Sequence, residues 1–172
     1  MEKSIPLKEI VGFLPYGLQI YRLAEANNPQ TVKLTTGVLM LWEDNYYDEF
    51  KPIVRPLSDL TKEITHNGEN FVPIVKIAEM LGYDNLIKFD EDSGYEFIEY
   101  GYIERYEDDQ QPYVFGYWKD GLFGFWYDEQ DDTCPINHFT NLSAINLLHE
   151  LHFDIYDWIK DGKAIDINTL KP

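Results

Sequence analysis

Four side chains between residues 134 and 152 have the chemistry of a zinc site: Cys134, His138, His149 and His152. Thiolate and imidazole are usual zinc ligands, and His149 and His152 stand three apart, neighbouring positions on one helix face. The spacing between the two pairs, however, matches no zinc pattern. His149-Glu150-Leu151-His152 is also one residue short of HExxH, whose mechanism needs its histidines four apart. No metal site is therefore expected. A helical projection puts Leu142, Ile145, Leu148, Leu151 and His152 on one apolar arc, with His149 at its edge. That predicts a hydrogen-bonded His152 in the core or at its boundary.

The carboxylates offer no firmer chemistry. Asp90-Glu91-Asp92-Ser93-Gly94 begins like a calcium loop, but its glycine falls one place early and Gly101 stands where the bidentate Glu belongs. Asp128, Glu129, Asp131 and Asp132 read as a solvated loop, since no histidine or spaced carboxylate accompanies them. Glycoside hydrolysis needs two carboxyls roughly 5–10 Å apart and one raised pKa, and neither is legible in a sequence. Pro135 follows Cys134 and lacks a backbone N–H that could stabilise a thiolate. Phosphate loop, nucleophile elbow and dinucleotide fingerprint are all missing. No cofactor is expected.

The elements that must carry these residues read as follows. Residues 7–14 suit a short amphipathic helix ended by Pro15-Tyr16-Gly17. Residues 18–25 and 31–42 read as two strands, the second an inner one because Val38 to Trp42 is continuously apolar. Residues 51–56 are extended by their prolines. Helices are predicted at 57–65 and 73–81, the first closed by His66-Asn67-Gly68, forming an α-hairpin. Residues 95–106 form a strand, and 113–119 with 122–127 form a hairpin about Asp120-Gly121. In that register each of Gly116 and Gly124 faces an aromatic residue. Helices at 142–151, capped by Asn141, and 154–161, capped by Asp154, precede a short edge strand at 164–168. The expected fold is a single α+β domain over residues 1–172, with 82–95 the best place for any subdivision.

The same register puts Tyr113, Phe115, Tyr117 and Trp126 on one face of the hairpin. Tyrosine and tryptophan are enriched at protein interfaces because they bury much area and keep a polar handle. With Asp128, Glu129, Asp131 and Asp132 beside them, these four are the candidate binding surface. The competing reading buries the rings under helices as core. An enzyme using an acidic, aromatic pocket is the alternative function.

Composition bounds the partners. The 172 residues carry 31 acids against 14 bases, a net of -17, and residues 90–132 hold 14 of the acids with only 2 bases. Such a field repels nucleic acid and anionic membranes and attracts basic protein surfaces. With 44% of residues hydrophobic and 16% aromatic, the chain is no disordered acidic tail. No basic amino terminus leads into an apolar run, so neither a cleaved secretion signal nor a membrane span is expected. The single cysteine fits a reducing cytoplasm.

Three segments carry a resemblance: 14–18 (LPYGL), 51–60 (KPIVRPLSDL), and 148–155 (LHELHFDI) continuing to 165–170 (IDINTL). They resemble a group of small proteins of bacteriophages, prophages and mobile elements in gut Bacteroidetes-type bacteria. The resemblance implies no activity and transfers no residue roles. It implies a setting in which an acidic protein binds a host protein, or imitates DNA charge toward a DNA-binding enzyme. The leading expectation is thus a non-enzymatic acidic protein-binding or accessory role.

Overall fold

The computed structural model describes residues 5–22, 30–43, 50–81, 86–88, 98–104, 113–118, 123–127, 137–139 and 142–170, with backbone alone from 86 to 139. In chain order the elements are α1 (Leu7–Ile10), β1 (Gln19–Arg22), β2 (Gln30–Lys33), α2 (Thr36–Glu43), β3 (Phe50–Val54), β4 (Ile64–His66), β5 (Glu69–Phe71) and α3 (Pro73–Met80). Then follow β6 (Leu86–Lys88), β7 (Ile98–Glu104), β8 (Tyr113–Trp118), β9 (Phe123–Tyr127), β10 (Asn137–Phe139), α4 (Leu142–Glu150) and β11 (Ile165–Asp166). This is a mixed α+β fold of antiparallel strands and short helices. Among the described residues, no helix is long and apolar enough to cross a membrane. By contacts the chain divides into a first unit, Met1–Leu57 with Asn146–Pro172, and a second, Ser58–Ile145. The cuts fall before β4 and inside α4, and the expected 82–95 point lies within the second unit.

In the first unit β2, β1 and β3 run antiparallel, with Ile20 opposite Val32 on one side and Pro52 on the other. The expected tail strand is present as β11, parallel to the outer side of β3. The core gathers Ile10, Phe13, Leu18, Ile20, Trp42, Val54 and Trp158. Each such fully buried side chain contributes about 1.5–3 kcal/mol of transfer free energy.

The apolar run expected as an inner strand is instead α2. Thr35 caps it, its Oγ1 accepting the Val38 N–H at 3.3 Å. Leu39 and Trp42 are buried while Met40 and Leu41 are 65% and 45% exposed, a spacing of three that no strand produces. The helix expected at 154–161 is a loop. The Asp154 carboxylate accepts the N–H groups of Trp158 and Ile159, both at 2.8 Å. A helix cap reaches two or three residues ahead, not four and five. Asp157, at φ 59°, also breaks the helical path.

The helix expected at 57–65 reduces to one 3-10 turn, Leu57–Asp59, at the first cut, and the β4–β5 hairpin of the second unit follows it. Asn67 and Gly68 have φ of 51° and 85°, the two left-handed residues of a type I′ turn. The Asn-Gly pair expected to stop a helix turns a hairpin, so there is no α-hairpin. The helix α3 is where Pro73 predicts it, burying Pro73, Ile74, Ile77 and Ala78 along one stripe. The remaining strands form one antiparallel sheet in the order β10-β9-β8-β7-β6.

Candidate functional site

The β8–β9 hairpin pairs Tyr113 with Tyr127, Phe115 with Phe125, Gly116 with Gly124 and Tyr117 with Phe123. A two-residue turn at Asp120-Gly121 would pair Tyr117 with Gly124, so the observed register is displaced by one residue. One residue of displacement exchanges the faces of a strand. Trp126 pairs with Val114 and so occupies the face opposite Tyr113, Phe115 and Tyr117, with which the expected register groups it. The glycines do not meet aromatic partners. Gly101, Gly116 and Gly124 instead align across β7, β8 and β9, and the row ends at His138 in β10. On the other face Tyr100, Tyr117, Phe123 and Phe139 form one row, and Tyr102, Phe115 and Phe125 the next. Asp128, Glu129, Asp131 and Asp132, Cys134, the Asp120-Gly121 turn, the Asn141 cap and the calcium-like segment lie outside the described residues.

Glu104, Tyr113 and Tyr127 form the row at which β7 ends, β8 begins and β9 ends. In sequence, residues 105–112 follow β7 and residues 128–136 follow β9. Between them they carry Glu107, Asp108, Asp109, Asp128, Glu129, Asp131 and Asp132, with Arg105 the one base.

The histidines part company. His138 belongs to the sheet of the second unit, whereas His149 and His152 belong to the first. The helix α4 ends at Glu150, so His152 is not on its apolar arc. Phe153 donates to the Leu148 carbonyl and His152 to that of His149, with His152 at φ 60°. This is a Schellman ending in which histidine takes the left-handed position that glycine usually holds. As expected, His152 is hydrogen-bonded at the core boundary, its Nε2 lying 3.1 Å from the Tyr16 carbonyl.

The deeply buried histidine is His149, only 8% exposed. Its ring lies flat on Gly12, where an added Cβ would come 2.7 Å from Cε1. Phe13 meets it edge-on at 4.5 Å, and Tyr156 stacks at 6.4 Å. Trp158 closes the cluster, 5.2 Å from Tyr156 and 5.4 Å from Phe13, and its Nε1 donates to Glu9 at 3.0 Å. Burial pushes the His149 pKa down, keeping the imidazole neutral. Burial, then the Glu9 charge, pushes Tyr156 up. Among the described residues nothing hydrogen-bonds His149 Nε2, so no nucleophile or carboxylate is aligned with that nitrogen. Among them, too, no three His, Cys, Asp or Glu side chains gather to hold a metal.

Sequence reasoning missed Gly12, Phe13, Tyr156 and Trp158 as the surroundings of His149. One signal was available: a glycine inside the amphipathic run 7–14, where close packing is the usual reason for one. Comparison of the chain with models of known protein families, with curated proteins and with solved structures found no match.

Proposed function

We propose that the chain is a non-enzymatic protein-binding module whose second unit docks on a basic surface of another protein. The separation of charge between the two units supports this. Ser58–Ile145 carries 19 acids and 5 bases, a net of -14, while the first unit carries 12 and 9, a net of -3. A concentrated negative charge speeds encounter with a basic partner and disfavours nucleic acid and anionic membrane. A reducing cytoplasm suits the lone cysteine, and the resemblance to mobile-element proteins suits a host protein as the target.

Affinity capture from bacterial lysate tests the reading, comparing the wild type with a variant carrying Asp108→Asn, Asp109→Asn, Asp128→Asn, Glu129→Gln, Asp131→Asn and Asp132→Asn. The expected result is enrichment of a basic protein by the wild type, lost with the variant at unchanged circular dichroism. Equal recovery by both chains would overturn it.

A further inference from the structure

Beside the hairpin turn, β5 and α3 bound an open groove of about 620 Å³ in the second unit. That volume is within the usual range of ligand sites, about 300–1,000 Å³. Its helical wall presents Val75, Lys76 and Glu79 of α3, three and four apart and therefore on one face, with Val72 just ahead of the helix at its N-cap. Its strand wall is Glu69, Asn70 and Phe71.

The strand wall is also a sheet edge. Only β4 pairs with β5 among the described residues. Across a two-residue turn, His66 with Glu69 and Ile64 with Phe71 are the hydrogen-bonded pairs, which turns the Asn70 N–H and C=O away from β4. Extended backbone continues to Val72, at φ -96° and ψ 117°. Its carbonyl already accepts the Val75 and Lys76 N–H groups. Asn70 N–H and C=O are thus spaced to receive one residue pair of an added strand, and Val72 N–H one further carbonyl of it.

The groove also shows what kind of side chain it takes. The Lys76 ammonium lies 4.2 Å over the Phe71 ring and 3.8 Å from the Glu69 carboxylate. An aromatic face beside a carboxylate is a seat for a cation, and the chain fills it with its own lysine. The contact is loose: at 3.8 Å the pair exceeds hydrogen-bond length, and the Glu69 side chain is 76% exposed. Glu79, also exposed, adds a second carboxylate along the same wall.

We infer that this groove binds an extended basic peptide segment by strand addition to β5, with a lysine or arginine of the partner displacing Lys76 from Phe71 and Glu69. The inference rests on the basic-partner reading above and names its place and mode.

The probe is a fluorescein-labelled, end-capped peptide of alternating Lys and Val, seven residues long, followed by anisotropy on the full chain. Glu69→Gln with Glu79→Gln is expected to weaken binding about threefold. Phe71→Leu, which keeps the apolar wall, costs about three- to fivefold. N-methylation of alternate peptide amides costs about tenfold. Lys76→Met should tighten binding about threefold by vacating the seat. Lys8→Met, which removes the same charge from the first unit, should not. Binding indifferent to N-methylation and to Phe71→Leu overturns the groove and leaves the acidic-unit reading standing, as does equal tightening by Lys8→Met. Absence of peptide binding overturns the groove too. Peptide seated here while capture yields no basic protein overturns the wider reading and keeps the groove.

Discussion

The neutral imidazole of His149 is held by shape, not by hydrogen bonds at Nε2, and two measurable consequences follow. Gly12→Ala would drive a methyl to 2.7 Å from the ring, and overpacking of this kind costs about 1–3 kcal/mol. The second concerns pH. The folded pKa of His149 lies below its ordinary 6.5. The unfolded chain therefore binds the proton first, and stability must fall as pH drops from above 6.5 toward the folded value. Two carboxylates bond to residues of this cluster or beside it: Glu9 of α1 accepts from the Trp158 indole, and Asp154 from the Trp158 and Ile159 N–H groups. Asp154 has the opposite sign: burial raises its pKa, so falling pH favours the folded state once the unfolded carboxylate alone is charged. Urea midpoints between pH 8 and 5.5 isolate His149 when wild type is compared with His149→Phe. The variant should lose most of the decline, and an identical decline in both would assign it elsewhere. His149 was legible as a residue at the edge of an apolar arc. Its depth was not, because that depends on a glycine 137 positions away in sequence offering a bare backbone to pack on.

Among the elements, α2 and the β4–β5 hairpin show how local signals compete. Val38 to Trp42 is apolar at every position, so periodicity alone does not separate helix from buried strand. Thr35 and the core decided: the cap starts a helix, and Leu39 and Trp42 are then buried, with Val38 half-buried against the same core. Leu39→Ala or Trp42→Ala should cost about 2–5 kcal/mol in denaturant unfolding, whereas Met40→Lys and Leu41→Lys should stay within about 0.5 kcal/mol. Equal costs at all four positions would restore the inner strand. In the hairpin, Asn67-Gly68 was readable both as a helix stop and as a type I′ turn. Flanks of three residues gave the sequence too little period to choose. Gly68→Ala, placed at φ 85°, should destabilise by about 1–2 kcal/mol.

At the scale of the whole molecule, the 19 acids of Ser58–Ile145, against 5 bases, repel one another at long range. The Debye length shrinks from about 30 Å at 0.01 M salt to about 8 Å at 0.15 M. Added sodium chloride should therefore raise the unfolding midpoint. Amide exchange should show the gain in β7–β9 more than in β1–β3, because the first unit nets only -3. Protection that rises equally in both sheets, or falls, would contradict a charge-loaded second unit. The acidic segment and the aromatic strands were evident from composition and spacing, but not the two-unit division. The first unit is closed by residues from both ends of the chain, which no local pattern announces.

What the amino-acid order determined unaided was chemistry and short-range geometry: an acidic surplus, a Pro73-initiated helix, an aromatic hairpin, an edge strand at the tail. These depend on propensity, charge and turn residues within a few positions of one another. Tertiary structure alone decided the one-residue register that separates Trp126 from Tyr113, Phe115 and Tyr117. It also decided the left-handed stop at His152 and the packing of His149 on Gly12. In each, a displacement of one residue or the absence of one Cβ changes which groups meet, and His152 and His149 also meet segments far away in sequence, at Tyr16 and Gly12.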